Sequence, residues 1–169
     1  MTLAAEILFW VCVALILYTH AGYPLALRAL LALRRRPTLR PGTWEEPPTV
    51  SLIVAAYDEE EVIAAKVAGA LALDYPRERL QVIVASDGSA DATAERARTA
   101  GADLVLELPR GGKLAAQNAA AERASGEILA FSDANSAWSP DALRHLVEPF
   151  ADPAVAYACG QVRFLDPEG

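Results

Sequence analysis

Three polar clusters stand where short apolar, β-branched runs stop: Tyr57-Asp58-Glu59-Glu60 after residues 50–55, Ser86-Asp87-Gly88-Ser89 after residues 80–85, and Ser132-Asp133-Ala134-Asn135 after residues 128–131. In an open parallel α/β sheet, ligands bind beyond the carboxyl ends of the strands, so groups delivered by three strand ends converge on one pocket. Carboxylates, an amide and a tyrosine brought together in that way suit a nucleotide and a metal ion.

Each cluster has a chemistry of its own. A carboxylate at the position of Asp87 can accept a hydrogen bond from a base imide or a ribose hydroxyl, which favours uracil. Asp and Gly are also ordinary turn residues, so Asp87 can equally serve only the tight turn. Asp133 and Asn135 put two oxygen-bearing side chains one residue apart after a strand, where a divalent cation held between them would bridge two phosphates. Such a cation neutralises the charge that builds on a departing diphosphate without proton transfer. Lys113 follows Gly111-Gly112 at a helix start, where an ammonium and free backbone N–H groups can meet phosphate oxygens together. Asp58, with Glu61 three residues on, has the spacing of a capping box, and a ligand-facing role for it stands beside that one.

Other chemistries are excluded by what is missing. Gly-Gly-Lys113-Leu114 lacks the hydroxyl residue after lysine and the first glycine of a Walker loop, and no Gly-x-Gly-x-x-Gly follows the first strand. Asp87-Gly88-Ser89-Ala90-Asp91 opens like a calcium loop, but Ala92 stands where its glycine belongs and Arg98 where its closing acid belongs. The two histidines, His20 and His145, and the two cysteines, Cys12 and Cys159, are too scattered to form a metal or disulfide framework, so any metal must use oxygen ligands, which points to Mg or Mn. A net charge of −7 argues against a nucleic-acid groove, which is lined by clustered Lys and Arg.

The elements that must position these groups alternate. Residues 50–55 read as a strand, followed by a helix whose apolar stripe is Val62, Ile63, Val67, Ala70 and Leu71. Tyr75-Pro76 breaks it, and residues 80–85 form a second strand. A helix over 92–100 ends at Gly101, and a third strand covers 103–108. The glycine loop then opens a helix over 114–124, a fourth strand covers 128–131, and Ser139-Pro140-Asp141 starts a helix over 142–150. A last strand is expected over 155–164. Strands alternating with helices predict an α/β fold with a doubly wound, mostly parallel sheet.

Ahead of this domain lies an apolar run interrupted only by Glu6, Thr19, His20 and Arg28. A spanning helix needs about 20 such residues, and residues 7–27 supply them. The run has no basic start and is too long for the core of a cleaved signal peptide. No strongly polar face recurs in it, against a helix lying on the surface. His20 can serve as a polar group facing a partner helix, but Gly22, Tyr23 and Pro24 beside it favour a kink or interfacial ledge. Arg34, Arg35, Arg36 and Arg40 follow the run with nothing basic before it, so the domain beyond is expected in the cytoplasm, on an inner or plasma membrane. The expected organisation is a transmembrane helix over 1–34, a Pro-rich basic linker over 35–48 and a nucleotide-binding domain over 49–169. Trp44 in the linker suits either lipid headgroups or the domain surface.

Taken in series, the segment ending in Tyr57-Asp58-Glu59-Glu60, Leu73-Asp74-Tyr75-Pro76, Val84-Ala85-Ser86-Asp87-Gly88-Ser89, Gly112-Lys113 with Asn118, and Phe131-Ser132-Asp133-Ala134-Asn135 resembles the nucleotide-sugar-binding half of a family 2 glycosyltransferase of the GT-A fold, Rossmann-like in its alternation. The resemblance implies that Tyr57 stacks on or edges the base, Glu59 lies near the nucleotide, Asp87 binds uracil or its equivalent, and Asp133 and Asn135 occupy the metal-binding motif. The family more often has Asn where Asp58 stands and a second Asp where Asn135 stands. It also implies inversion at the sugar, a UDP-sugar donor, and a glycan or lipid acceptor.

In that family the general base and acceptor elements lie downstream of the metal motif, so the base is expected beyond Gly169 and the chain resembles a truncated membrane synthase. Glu148 and Asp152 belong on or just after a surface helix. The rival expectation is a membrane-tethered nucleotide-sugar-binding module without catalysis, and a third is an α/β domain with packing and partner-binding roles alone.

Overall fold

The computed structural model describes residues 2–33 and 44–161, which belong to two compact units. The Arg34–Arg36, Pro37, Arg40, Pro41 and Gly42 features of the expected linker, and residues 162–164 of the expected last strand, lie outside the described residues.

The N-terminal unit is one helical rod, Leu3–Leu33, of 31 residues and mean hydropathy 1.9, long and apolar enough to cross a membrane. It consists of α1 (Leu3–Leu17), a single π turn (Tyr18–Gly22) and α2 (Tyr23–Leu33). The wide turn has a local cause. Pro24 has no N–H to give to the carbonyl one turn back, and the ladder loosens around it. Thr19 Oγ1 donates to Leu15 O at 2.7 Å, and His20 Nδ1 lies 3.0 Å from Ile16 O, so both polar side chains turn back onto the rod's own backbone. The irregularity expected beside His20 is this turn.

The second unit is built from β1 (Val50–Ala56), α3 (Ile63–Leu71), β2 (Leu80–Asp87), α4 (Thr93–Thr99), β3 (Leu104–Leu108), α5 (Lys113–Ala121), β4 (Ile128–Asp133) and α6 (Ala142–Val147). The four strands are parallel in the order β3-β2-β1-β4. The β1 residues Leu52, Val54 and Ala56 face α3, α4 and α6, burying Ile63, Val67, Ala97 and Leu143, while Ile53, Ile83 and Ala85 face α5 through Ala116 and Ala120. With helices on both faces, β1 and β2 read as near-continuous apolar runs, interrupted near their starts by Ser51 and Gln81, rather than alternating ones. Each fully buried Ile or Leu contributes about 1.5–3 kcal/mol. Gly101, at φ +95°, ends α4 as its position predicts.

The chain runs outward from β1 to β3, then returns beneath the sheet by α5 and enters β4 on the other side of β1. That reversal between β1 and β4 is the switch point at which an open α/β sheet forms its crevice.

Two expectations are corrected. Residues 155–161 form no strand. The helix expected over 142–150 is regular only to Val147 and tightens to a 3₁₀ turn over Glu148–Ala151, because Pro149 cannot donate to the α-helical ladder. Trp44 packs on the domain, its Nε1 donating to Val147 O at 3.4 Å.

Candidate functional site

All six side chains singled out in the sequence line one cleft of about 340 Å³ at the carboxyl ends of β1, β2 and β4. Tyr57 and Glu59 come from the loop after β1, Asp87 from the end of β2, Lys113 from the first turn of α5, and Asp133 and Asn135 from the end of β4.

Loop-to-loop hydrogen bonds hold this wall. Asp58 sits in the left-handed region at φ +50°, its N–H donating to Ser89 Oγ at 3.1 Å and its Oδ1 accepting from Ala90 N at 2.9 Å. The capping box is therefore not formed: α3 begins at Ile63 without a side-chain cap, and Asp58 instead ties the β1 loop to the β2 loop. Asn tolerates left-handed backbone better than most residues and keeps the same acceptor, a physical reason for either residue here. Glu59 N donates to Thr93 Oγ1 at 2.9 Å and Glu60 N to Asp91 Oδ2 at 3.1 Å, completing the lacing. The hydroxyl of Thr93 bonded to Asp91 holds that carboxyl below its usual range.

Asp87 is buried and its oxygens are fully engaged. Oδ1 accepts from Gly111 N at 2.6 Å and Gly112 N at 3.1 Å, while Oδ2 accepts from Gly112 N at 2.9 Å and Arg110 Nη1 at 3.0 Å. In this geometry Asp87 anchors the glycine loop that opens α5, a part neither of the two sequence alternatives describes. Gly88, at φ +68°, makes the approach possible, since a Cβ there would lie 2.8 Å from Arg110 N.

Arg110 is the cleft residue that the motifs did not flag. Its guanidinium carbon lies 3.3 Å from the centroid of the Tyr57 ring, covering one face of it, and it is also the exposed member of the Asp87 cluster. Its sequence signal was membership of the same glycine loop as Lys113.

The end of β4 and the turn after it do the positioning. Ser132 and Ala134 turn inward and are buried, whereas Asp133 and Asn135 turn outward into the cleft. Lys113 Nζ pairs with Asp133 Oδ1 across the opening. Among the described residues no three His, Cys, Asp or Glu side chains gather as a metal cage. One carboxylate and one amide oxygen nevertheless fit Mg or Mn, which keep several waters and complete their shell with substrate phosphates.

Behind this motif lies Lys66, buried on α3. Its Nζ donates to Ser132 Oγ at 2.6 Å and Ser136 O at 2.8 Å, and it lies 5.2 Å from the centroid of the Trp138 ring. Burial pushes its pKa down to about 8, opposed by the charge of Asp133. The signal for it was a lysine set into the apolar stripe of Ile63, Val67 and Ala70.

The sequence model of Glycosyl transferase family 2 matches residues 51–168. The chain belongs to that family. The glycosyltransferase AglE of Haloferax volcanii is 32% identical over 127 residues, covering 72% of this chain and 42% of its own length. The mannosyltransferase PcManGT from Pyrobaculum calidifontis, solved in complex with GDP-Man and Mn2+, superposes with a TM-score of 0.71 at 34% identity, covering 82% of this chain and 43% of its own. Glucosyl-3-phosphoglycerate synthase from Mycobacterium tuberculosis, solved with Mn2+, UDP and phosphoglyceric acid, gives 0.53 at 29% identity over 62% of this chain and 39% of its own. This family 2 glycosyltransferase chain thus has a GT-A fold and spans less than half the length of these relatives.

Proposed function

We propose that the cleft binds a nucleoside-diphosphate sugar together with Mg or Mn, as the donor half of an inverting glycosyltransferase. The observation that carries this is the convergence of Tyr57, Asp87, Lys113, Asp133 and Asn135 on the one crevice at the sheet's switch point. In this reading Arg110 moves off the Tyr57 ring and off Asp87 Oδ2, so that Tyr57 offers a ring face to the base and the freed Oδ2 accepts from the base edge while Oδ1 keeps hold of the glycine loop. Lys113 turns from Asp133 to a phosphate oxygen, and Glu59 orients the nucleotide from the β1 loop. Asp133 and Asn135 hold the cation, which supplies charge neutralisation at the diphosphate.

A carboxylate acceptor suits the imide of uracil, so a UDP-sugar is the first donor class. Guanine presents N–H donors on the corresponding edge, and the similarity to the GDP-Man complex of the Pyrobaculum enzyme favours GDP as the second. The acceptor is a glycan or lipid at the cytoplasmic face, with residues 1–34 as the membrane anchor, 35–48 as the linker and 49–169 as the donor domain. General-base catalysis requires a group within hydrogen-bond reach of the acceptor hydroxyl, a role assigned to the part of the longer relatives that this chain does not span.

The test is calorimetric titration of UDP and GDP into the detergent-solubilised chain, with and without Mn2+, repeated on Asp87→Ala and Asp133→Ala. Binding that requires Mn2+ and Asp133 is expected. A folded chain that binds neither nucleotide would reject the donor site.

A further inference from the structure

We propose that Lys66 is a positioning residue for the metal motif, its ammonium clamping both ends of the bend that presents Asp133 and Asn135. The inference rests on the reading of that pair as cation ligands given above.

The bend begins at Ser132 and ends at Ser136, and Lys66 Nζ reaches both: Ser132 Oγ at 2.6 Å, Ser136 O at 2.8 Å and Ser136 Oγ at 3.5 Å. The two hydroxyls lie 2.9 Å from each other, and Ser136 Oγ also donates to Asp133 O at 2.9 Å, closing the loop back on the motif's own backbone. Between these fastenings Ala134 is pressed into the core beside Ile63 and Val67. A segment fixed at 132, 134 and 136 has to show 133 and 135 to the cleft, so the mutual placement of the two side chains follows from Lys66 and not from β4 alone.

A lysine in this place is costly as packing. It is 8% exposed, and among the described residues no carboxylate pairs with it. Its partners are neutral oxygens and a tryptophan ring. An apolar side chain of the same length would fill the space without burying a charge. What the ammonium adds is three donors that can be spent on separate acceptors at once, which no apolar residue reproduces. Groups standing behind metal ligands govern affinity by orientation, and removing one typically costs about 10–100-fold.

The test uses the full chain in detergent, with UDP and GDP each titrated in Mn2+ and in a metal chelator, and thermal unfolding followed in parallel. Wild type is expected to bind more tightly with Mn2+. In Lys66→Met that Mn2+ enhancement should fall about 10-fold or more while metal-free nucleotide binding stays within about twofold and the fold persists. Ser136→Ala, which removes one acceptor and leaves the buried charge otherwise partnered, should lose part of the enhancement, and it carries the test should Lys66→Met not fold. A wild-type Mn2+ enhancement in folded Lys66→Met, or in Ser136→Ala where that variant stands in, would overturn the clamp. Absence of any Mn2+ enhancement in wild type would instead overturn the metal-site reading on which the clamp depends.

Discussion

Lys113 at the start of α5 and Asp133 at the end of β4 form an ion pair across the mouth of the cleft, each side chain 56% exposed. A pair so open to water adds little to stability, and each partner can exchange the other for a ligand of opposite charge. Lys113→Ala should therefore leave the melting behaviour nearly unchanged, within about 0.5 kcal/mol. Its effects on ligands should go in opposite directions. Mn2+ alone should bind Asp133 more tightly once the competing ammonium is gone, while UDP with Mn2+ should bind about 10-fold more weakly, a loss of about 1.4 kcal/mol. Calorimetry on the one variant reads both, and an unchanged UDP affinity would remove Lys113 from the phosphate site.

Gly88→Ala should damage fold and site together. The substitution places a Cβ at φ +68° against the Arg110 backbone, pushing the glycine loop off the Asp87 carboxylate and leaving buried groups unpaired. A destabilisation of about 1–3 kcal/mol is expected, with loss of nucleotide binding. Gly69→Ala is the control: it lies exposed in α3 with nothing within 4 Å of where a Cβ would stand, so it should stabilise by about 0.5–1 kcal/mol. Chemical denaturation of the two variants side by side gives the comparison.

Tyr75 predicts a pH dependence. Its hydroxyl donates to Pro48 O at 2.5 Å, fastening the segment ahead of β1, and burial raises its pKa from 10.0 to about 12. The folded state therefore keeps the phenol proton after the unfolded state has lost it. The contribution is complete below pH 10 and is lost as pH rises towards 12, worth about 1–2 kcal/mol after allowance for partial exposure. Stability curves at pH 8 and pH 11 should show this loss in wild type and a smaller one in Tyr75→Phe.

Much of the fold was legible because burial on both faces of a parallel sheet leaves continuous apolar runs, and β1, β2 and β4 each start within a residue of where those runs begin. The polar clusters were informative for the same reason: a parallel sheet brings every strand's carboxyl end to one edge, so three separate stretches of sequence became one cleft. The strand expected over 155–164 failed over its described part, residues 155–161, because a short apolar run carries no information about whether a partner edge is within reach. Asp58 failed as a cap because the spacing of a capping box cannot show that the residue has entered left-handed backbone and turned to Ala90.

By itself the sequence determined the alternation of strands and helices, the apolar N-terminal rod and the polar clusters at the strand ends, because local composition and period govern these, while the resemblance to the family singled out Tyr57 and Glu59 beside Asp87, Lys113, Asp133 and Asn135. Tertiary structure decided what those residues touch. Asp87 holds a loop some 24 residues further on, Arg110 covers Tyr57, Lys113 meets Asp133, and Lys66 fastens a bend 66 residues away. Each of these depends on which strands lie side by side and where the chain reverses across the sheet. Neither is written in the spacing of one segment, since long-range contacts arise only when separate runs bury their apolar faces together.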